Sequence, residues 1–598
     1  MSQLAPGFLN FGAIGSQPVP VTISATDSVQ ITGGVITLSN DVASPANGQA
    51  YMVSGGVRGW FFPTATTTGS DSVKITGSNA TLVNDVASPA NGQAYMVSGG
   101  VRGWFFPTAT TGSDSVVIAG SNATLVNDVV TPVNGQYYGY SNAVRGWFRP
   151  GFSNILDYGA DPTGTNDNST ALSAALSSLP SAGGTVYFPH GVYKFTNPVS
   201  YSVASPCSVT LLGDGMDASK LTWTTAQASG ALQFTLTGFY SSFHMRDLTL
   251  ETQAASGGIG LALACTASTQ FVQTSSDIFR CSIRGNGGYI GSTYWTYGIQ
   301  LDSVNFINLD SVFFLGVTVG QSPLGRGLYM FGVAPGSGLI ALVPNIDKCY
   351  FWYLFVGVEY GTYTQGMTII QTNFLSCLYG VYGDVGVGQS QLTIMSTQFG
   401  TPFNSSAWCV YLNSVISPLT IVGCLLECNT GAGGINLQAG TTVTISNNVI
   451  ETLGTAAGTA ISLAASSYVI IADNLIENVT TGLSISSTCA VLSIHDNKFL
   501  ATTAISNSSS AATIVIHDNP GYNPVGGSVV TPGGSPWTYT AGPSPETHYI
   551  SGGTLSSLIV GGVGIGYNPA SLNTIQLGPN ESYSVTYSVV PTVHKSVH

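Results

Sequence analysis

The stretch NILDYGADPTGTNDNSTALSAALSSLPSAGGTVYFPHGVYKF, Asn154 to Phe195, decides how the rest of the chain is read. Its middle, STALSAALSSL, spaces Ala and Leu at helical intervals, with Asp167 or Asn168 standing where an N-cap is needed. Gly183-Gly184 then turns the chain into an apolar strand, and PHGVYKF turns it into another. A single helix ahead of a long β region suits the open end of a solenoid, because it covers backbone donors and acceptors that no further strand pairs.

Downstream, a phrase of the form Ile-x-x-Asn-x-Phe recurs. Its Asn-like position falls at Cys281, Ser311, Cys349, Asn373, Gln398, Cys424, Asn448, Asn474, Asn497 and Asn519, spaced 22 to 38 residues apart. That period is one solenoid coil per repeat. Stacked coils would put the turn amides in a hydrogen-bonded column, with the apolar residue two places on entering the core and Cys substituting as a small buried group. In Asn448-Val-Ile-Glu451 and Asn474-Leu-Ile-Glu477 the Glu three places on then points outward.

Asn154–Phe195 resembles the opening segment of the pectate-lyase-like right-handed parallel β-helix superfamily. Asp157-Tyr-Gly-Ala160 and Gly183-Gly-Thr-Val-Tyr-Phe-Pro189 carry the resemblance. It implies an all-β chain whose residues 151–522 form that helix. It does not specify a reaction, because the superfamily includes polysaccharide lyases, glycoside hydrolases, epimerases and phage tailspikes.

Residues 1–150 are repetitive. Asn40–Thr67 reappears unchanged at Asn84–Thr111, a diverged copy begins at Asn127, and Trp60, Trp104 and Trp147 set a period of 43–44. Each unit reads as short strands between Gly, Asn and Pro turns, with its Trp either a core residue or a sugar-stacking element. Residues 523–598 read as five or six short strands, a small β-sandwich or cap.

Composition narrows the function. Of 598 residues only 7% are charged, the net charge is -13 and Gly reaches 74. The acidic balance argues against a nucleic-acid backbone as partner and suits polar, uncharged glycans better. No run of 18 apolar residues appears, so no membrane insertion is expected. The start lacks a basic segment followed by an apolar one, so export through a cleaved signal is not expected. Nine scattered Cys without a Cys-x-x-Cys pair favour free, buried thiols over disulfides or zinc.

Adjacent coils lie ~4.8 Å apart, so carboxylates on neighbouring coils approach the ~5–5.5 Å spacing of retaining glycosidases and those on alternate coils the ~6.5–9.5 Å of inverting ones. The longest coils, near 285–345, bring Tyr294, Trp295 and Tyr297, and the next brings Trp352. Asp302, Asp310, Asp347 and Glu359 stand nearby. The alternative is that the aromatics are packing and that Arg280, Asp310 and Lys348 form an ion ladder. Glu427, Glu451 and Glu477 form a second cluster, either a source of a raised carboxyl pKa or a surface stripe. His495-Asp496 and His517-Asp518 stack likewise. No cofactor or metal is expected, and no compact acid cluster with a neighbouring Arg supports calcium-dependent lyase chemistry.

The whole layout resembles bacteriophage tailspike or tail-fibre proteins. The resemblance implies a homotrimer on the virion, attached through its N-terminal region to phage tail or baseplate proteins, that binds bacterial surface polysaccharide and cleaves it. A non-catalytic adhesin or structural tail appendage is the alternative.

Overall fold

The structure is a computed structural model. It describes residues 152–598 except 205, 267–273, 320–321, 334–338, 401–406 and 429–432, and before 152 only the strands of hairpins. Each N-terminal repeat supplies two of these antiparallel hairpins, such as Val73–Thr76 with Asn79–Leu82 and Ala94–Ser98 with Val101–Phe105. The roles expected of Trp60, Trp104 and Trp147 lie outside the described residues.

Helix α1, Ser169–Ser177, forms where the sequence places it. Asn168 holds the cap position, but Asp167 supplies the oxygen, its Oδ1 accepting from the Ser169 amide at 3.2 Å and hydroxyl at 2.7 Å. Ala171, Leu172, Ala175 and Leu176 enter the same core as the coils that follow.

Those coils build a right-handed parallel β-helix from three parallel sheets. Sheet 1 runs from Phe152–Asn154 to Ile514–His517, sheet 2 from Thr163–Asp167 to Lys498–Leu500, and sheet 3 from Val199–Val203 to Thr503–Asn507. Each coil visits them in that order. The turn from sheet 1 to sheet 2 uses one left-handed residue followed by one buried residue. Arg280, Ser311, Lys348, Gln371, Ser396, Asn447, Asp473, Asp496 and Asp518 all have φ between 48° and 57°. Arg280, Ser311, Lys348, Gln371 and Ser396 adopt that conformation at a cost of about 1–2 kcal/mol each, Asn and Asp at less, so something must hold the turn.

The buried residue after it does so. Asn448 Nδ2 donates to Asn474 Oδ1 at 2.9 Å, Asn474 Nδ2 to Asn497 Oδ1 at 2.8 Å, and Asn497 Nδ2 to Asn519 Oδ1 at 3.0 Å. The thiol of Cys281 donates instead to the Met245 and Phe279 carbonyls, and that of Cys424 to Ile394 and Val422. All nine Cys are buried and none forms a disulfide.

Three positions of the column differ from the sequence expectation. Register puts Val312, Thr372 and Thr397 in it rather than Ser311, Asn373 and Gln398. Ser311 is the left-handed residue of its turn, and Asn373 and Gln398 begin sheet-2 strands and bond each other on the outside at 3.2 Å.

Inside sheet 2, Phe314, Phe351, Phe374 and Phe399 stack with centroids 4.6, 4.9 and 4.8 Å apart. Facing them, sheet 3 carries Gly327, Gly357 and Gly380. A Cβ on Gly357 would stand 2.6 Å from the Phe374 ring. The ring stack and the glycine column therefore require one another.

Beyond the last coil, eight strands between Gly526 and Val597 form two four-stranded antiparallel sheets, more strands than the sequence suggests. Their core holds Ile550, Leu558, Ile575, Tyr583 and Val593. Asn523 Nδ2 donates to the His598 carbonyl and Asn580 Nδ2 to the Ile514 carbonyl, so the amide column ends on this unit.

Buried Glu546 accepts from His548, Tyr539, Lys595 and the Gly542 amide at 2.8–3.0 Å. These bonds, against the opposing effect of burial, hold its carboxyl down at about 2 from an ordinary 4.5. A lowered carboxyl contributes stability that is complete above the unfolded value and drains as pH falls through the folded one. Acid unfolding of the wild-type sandwich, followed by Tyr fluorescence, is therefore expected to gain sensitivity between pH 4.5 and 2, with Glu546→Gln flattening that dependence.

Candidate active site

The residues that converge do so on the outer face of sheet 3. Its strands repeat a short phrase: Gly298-Ile-Gln-Leu, Gly327-Leu-Tyr-Met, Gly357-Val-Glu-Tyr, Gly380-Val-Tyr-Gly, Cys409-Val-Tyr-Leu and Gly434-Ile-Asn-Leu. The first residue faces the phenylalanine corner and the second enters the core, so the third points outward. Gln300, Tyr329, Glu359, Tyr382, Tyr411 and Asn436 consequently form one column in register. A parallel column begins each strand: Tyr297, Arg326, Val356, Tyr379 and Trp408.

Glu359 sits in the middle of this strip, buried and ion-paired with Arg326. The guanidinium lies 5.4 Å from both the Tyr297 and Phe355 ring centroids. Burial pushes the Glu359 carboxyl above the ordinary range; Arg326 opposes the shift and the negative charge of Asp384 adds to it. Asp384 follows Tyr382 by two residues, so it faces outward one coil beyond Glu359. One inter-coil step and two residues of strand separate the two backbones by about 8 Å. Tyr382 and Tyr411 stack at 5.8 Å, Tyr297 and Tyr329 lie 5.6 Å apart, and Asn413 Nδ2 donates to the Tyr382 hydroxyl at 2.9 Å.

Of the residues singled out from sequence, Glu359 and Tyr297 belong to this strip. Asp302 ends a sheet-3 strand in the same outward column as Phe331, two coils before Glu359; burial raises its carboxyl while the Ser303 hydroxyl donates to it at 2.8 Å. Asp347 lies on sheet 1, opposite Asp310 and held by Lys348 at 2.6 Å. The ion ladder of Arg280, Asp310 and Lys348 does not form: Arg280 pairs with Asp247 at 2.8 Å, and Asp310 accepts from Ser311. Trp352 lies on sheet 2, its Nε1 donating to Asn373 Oδ1 at 2.8 Å. Tyr294, half-buried, precedes the sheet-3 strand beside Gly325. Trp295 must be corrected: only 3% exposed, it packs edge-on to Trp223 and donates to the Leu250 carbonyl, leaving no face for a ligand.

Glu427, Glu451 and Glu477 stack in register on sheet 2, outward as expected, between buried Leu426, Ile450 and Ile476 on the inner side. No aromatic side chain shares their strands. Partial burial, then the charges of Glu477 and Glu427, raise the Glu451 carboxyl. A raised carboxyl leaves stability intact below the unfolded value and costs it as pH rises through the folded one. Glu451→Gln is therefore expected to raise the melting temperature near pH 7 and leave it unchanged below pH 4.5, measured by scanning fluorimetry at both; a lower melting temperature near pH 7 would show the stack to be favourable.

Sequence reasoning missed Arg326, Tyr329, Tyr382, Asp384 and Tyr411. The third place of the repeated sheet-3 phrase was the signal that could have found them.

Residues 152–243 match the family model described as rhamnogalacturonase A/epimerase, pectate lyase-like, and residues 403–537 that of periplasmic copper-binding protein (NosD). Residues 152–517 form a right-handed parallel β-helix, and its first coils are pectate-lyase-like by the first of these family models. Solved structures similar to it include the Dettilon tailspike protein gp208, at 13% identity over 75% of this chain and 94% of that one, TM-score 0.42. PfbA, a surface adhesin of Streptococcus pneumoniae, is 14% identical over 63% and 97%, TM-score 0.43. DFA-IIIase from Arthrobacter chlorophenolicus A6 is 10% identical over 59% and 95%, TM-score 0.42. Likeness at these levels says nothing of activity. Among curated protein sequences none matches the chain.

The copper of the second family description finds no fitting donors among the described residues of 403–537. The thiols there are buried in the core, His495 and His517 stack at 5.5 Å with each Nδ1 bonded to the following Asp, and no group of three or more candidate ligands forms among the described residues. Nor is any described helix long and apolar enough to cross a membrane.

Proposed function

We propose that sheet 3 binds a bacterial surface polysaccharide and hydrolyses its glycosidic bonds. The observation that carries this reading is the buried, raised carboxyl of Glu359 at the centre of an aromatic strip, with a second carboxylate, Asp384, alongside. A carboxyl raised by burial suits a general acid. Glu359 gives its proton to the leaving glycosidic oxygen as the bond to the anomeric carbon breaks; Asp384 takes a proton from the water whose oxygen attacks that carbon. With backbones about 8 Å apart, side chains extended side by side set their carboxyl groups within the ~6.5–9.5 Å of an inverting pair, which leaves room for that water. Arg326 positions Glu359 between Tyr297 and Phe355.

The layout of hairpin repeats, β-helix and C-terminal sandwich supports the further reading of a phage tailspike. In it, residues 1–150 attach to tail or baseplate proteins, 151–522 carry the glycan site, and 523–598 set a homotrimer on the virion. Light scattering is expected to give three chains per particle; a monomer would contradict the tailspike reading. One observation favours a binding-only adhesin instead: Glu359 is held by Arg326 and is not free. Incubation with bacterial surface polysaccharides separates the cases. Hydrolysis releases reducing ends without an ultraviolet-absorbing unsaturated product, lyase action releases both, and retained binding without either leaves an adhesin.

A further inference from the structure

The strip has ends, a centre and a charge, and together these restrict what it holds. Its aromatic residues begin at Tyr297 and finish at Trp408 and Tyr411, across five consecutive strands of sheet 3. The outward positions before them are Ile259 and Ala262, and those after them are Gly433 and Asn436. Trp408 lies over Gly433, where a Cβ would stand 2.0 Å from the indole. The aromatic track therefore ends at Tyr297 on one side and at Trp408 and Tyr411 on the other, and its length is four inter-coil steps, about 19 Å.

Glu359 lies on the third of the five strands. Tyr297 and Tyr329 precede it, and Tyr382, Tyr379, Tyr411 and Trp408 follow it. A sugar unit in an extended glycan advances by much the same distance as one coil, so rings laid along the axis meet successive strands in turn.

The charge is one-sided. Arg326, the strip's cation, is taken up by Glu359 and sandwiched by two rings. Asp302, Glu359 and Asp384 supply carboxyl groups, and no Lys or Arg occurs in the sequence from Cys349 to Asn497. A glycan carrying carboxylates, sulfates or phosphates would lie along acids with no free cation to meet it, and like charges brought together at an interface are costly.

We infer that the strip takes an uncharged glycan lying along the helix axis, with about two sugar units held on each side of the unit at Glu359, so that cleavage falls at internal bonds. This rests on the polysaccharide-hydrolase reading and adds charge class, length and mode of attack to it.

The test uses the full-length Glu359→Gln chain on an array of bacterial surface glycans, neutral alongside uronate-containing, sialylated and sulfated ones. Calorimetry follows with size-fractionated fragments of each glycan bound. Neutral glycans are expected to bind at least about tenfold more tightly than acidic ones. Affinity is expected to rise with length to about five units and then level off. Tyr297→Ala and Tyr411→Ala, one at each end, should each weaken a five-unit fragment by about tenfold and leave a two-unit fragment unaffected. Wild-type protein should release oligosaccharides from the outset. Preference for acidic glycans, a plateau at two units, or release of single sugars from chain ends overturns the inference while leaving the hydrolase reading standing. Failure to bind any glycan overturns both.

Discussion

Glu359→Gln is expected to lower the rate of glycan cleavage by about a thousandfold, the scale of a lost general acid, while changing glycan affinity by less than about threefold. The amide matches the carboxyl in shape and retains an acceptor for Arg326, but it has no proton to give the leaving oxygen at the required acidity. Once pH exceeds the raised pKa, the substitution also removes the charge that pairs with Arg326, which costs stability as well as activity. Circular dichroism and thermal melting must therefore accompany the rate measurement; an inactive variant that melts with the wild type isolates the chemistry. Asp384→Asn should lower the rate comparably. The pH profile should lose its alkaline limb in the Glu359 variant, since that limb reports deprotonation of a raised carboxyl. Full activity in Glu359→Gln would remove the strip from the chemistry.

Asn474→Ala is expected to be the most damaging single change to the solenoid, at about 3–5 kcal/mol. Asn474 is 1% exposed. Its Oδ1 accepts from Asn448 Nδ2 at 2.9 Å and the Asn448 amide at 3.0 Å; its Nδ2 donates to Asn497 Oδ1 at 2.8 Å and to the Ile445 and Ala472 carbonyls at 3.0 and 2.9 Å. Alanine takes one hydrogen-bond partner from each of five buried polar groups; Asn448 Nδ2, Asn497 Oδ1 and the Ala472 carbonyl keep a second one, and each group left unsatisfied costs about 1–3 kcal/mol, less than additively. The left-handed Asp473 loses its support at the same time. Against a total stability of about 5–15 kcal/mol, that loss is large. Asn474→Thr should be milder, because Thr372 and Thr397 hold the same place in their own coils, each hydroxyl donating to the carbonyl two residues earlier. Urea unfolding measures both variants, and hydrogen exchange should show the Ala variant opening first between Asn448 and Asn519. Equal midpoints for the Ala variant and wild type would show the column to be incidental.

The solenoid was legible because its repeat is carried by residues with only one good use. A buried Asn every 22 to 26 residues needs partners at a fixed place on the coils above and below, and Asn448, Asn474, Asn497 and Asn519 supply them to one another. Where the column residue is Val312, Thr372 or Thr397, the signal blurs. Polar Ser311, Asn373 and Gln398 stand one place away and imitate it, and the left-handed turn residue is not a glycine that would mark the place.

The site was less legible because its partners are set by register rather than by neighbours in sequence. Arg326 and Glu359 lie 33 residues apart and become adjacent only once their strands are aligned. Tyr329, Tyr382 and Tyr411 each sit between apolar residues and read as core until the inward and outward places of the strand are known. Trp295 shows the reverse error. It shares a short aromatic run with Tyr294 and Tyr297, yet the loop turns it into the core beside Trp223.

The most direct test of the account is where a bound glycan lies. A crystal structure of the Glu359→Gln chain soaked with a glycan that the wild type cleaves is predicted to show sugar rings along sheet 3 from Tyr297 to Trp408, with a glycosidic oxygen within hydrogen-bond reach of the amide that replaces the Glu359 carboxyl. A glycan seated instead over Glu427, Glu451 and Glu477 on sheet 2, or over Asp310 and Asp347 on sheet 1, would contradict it.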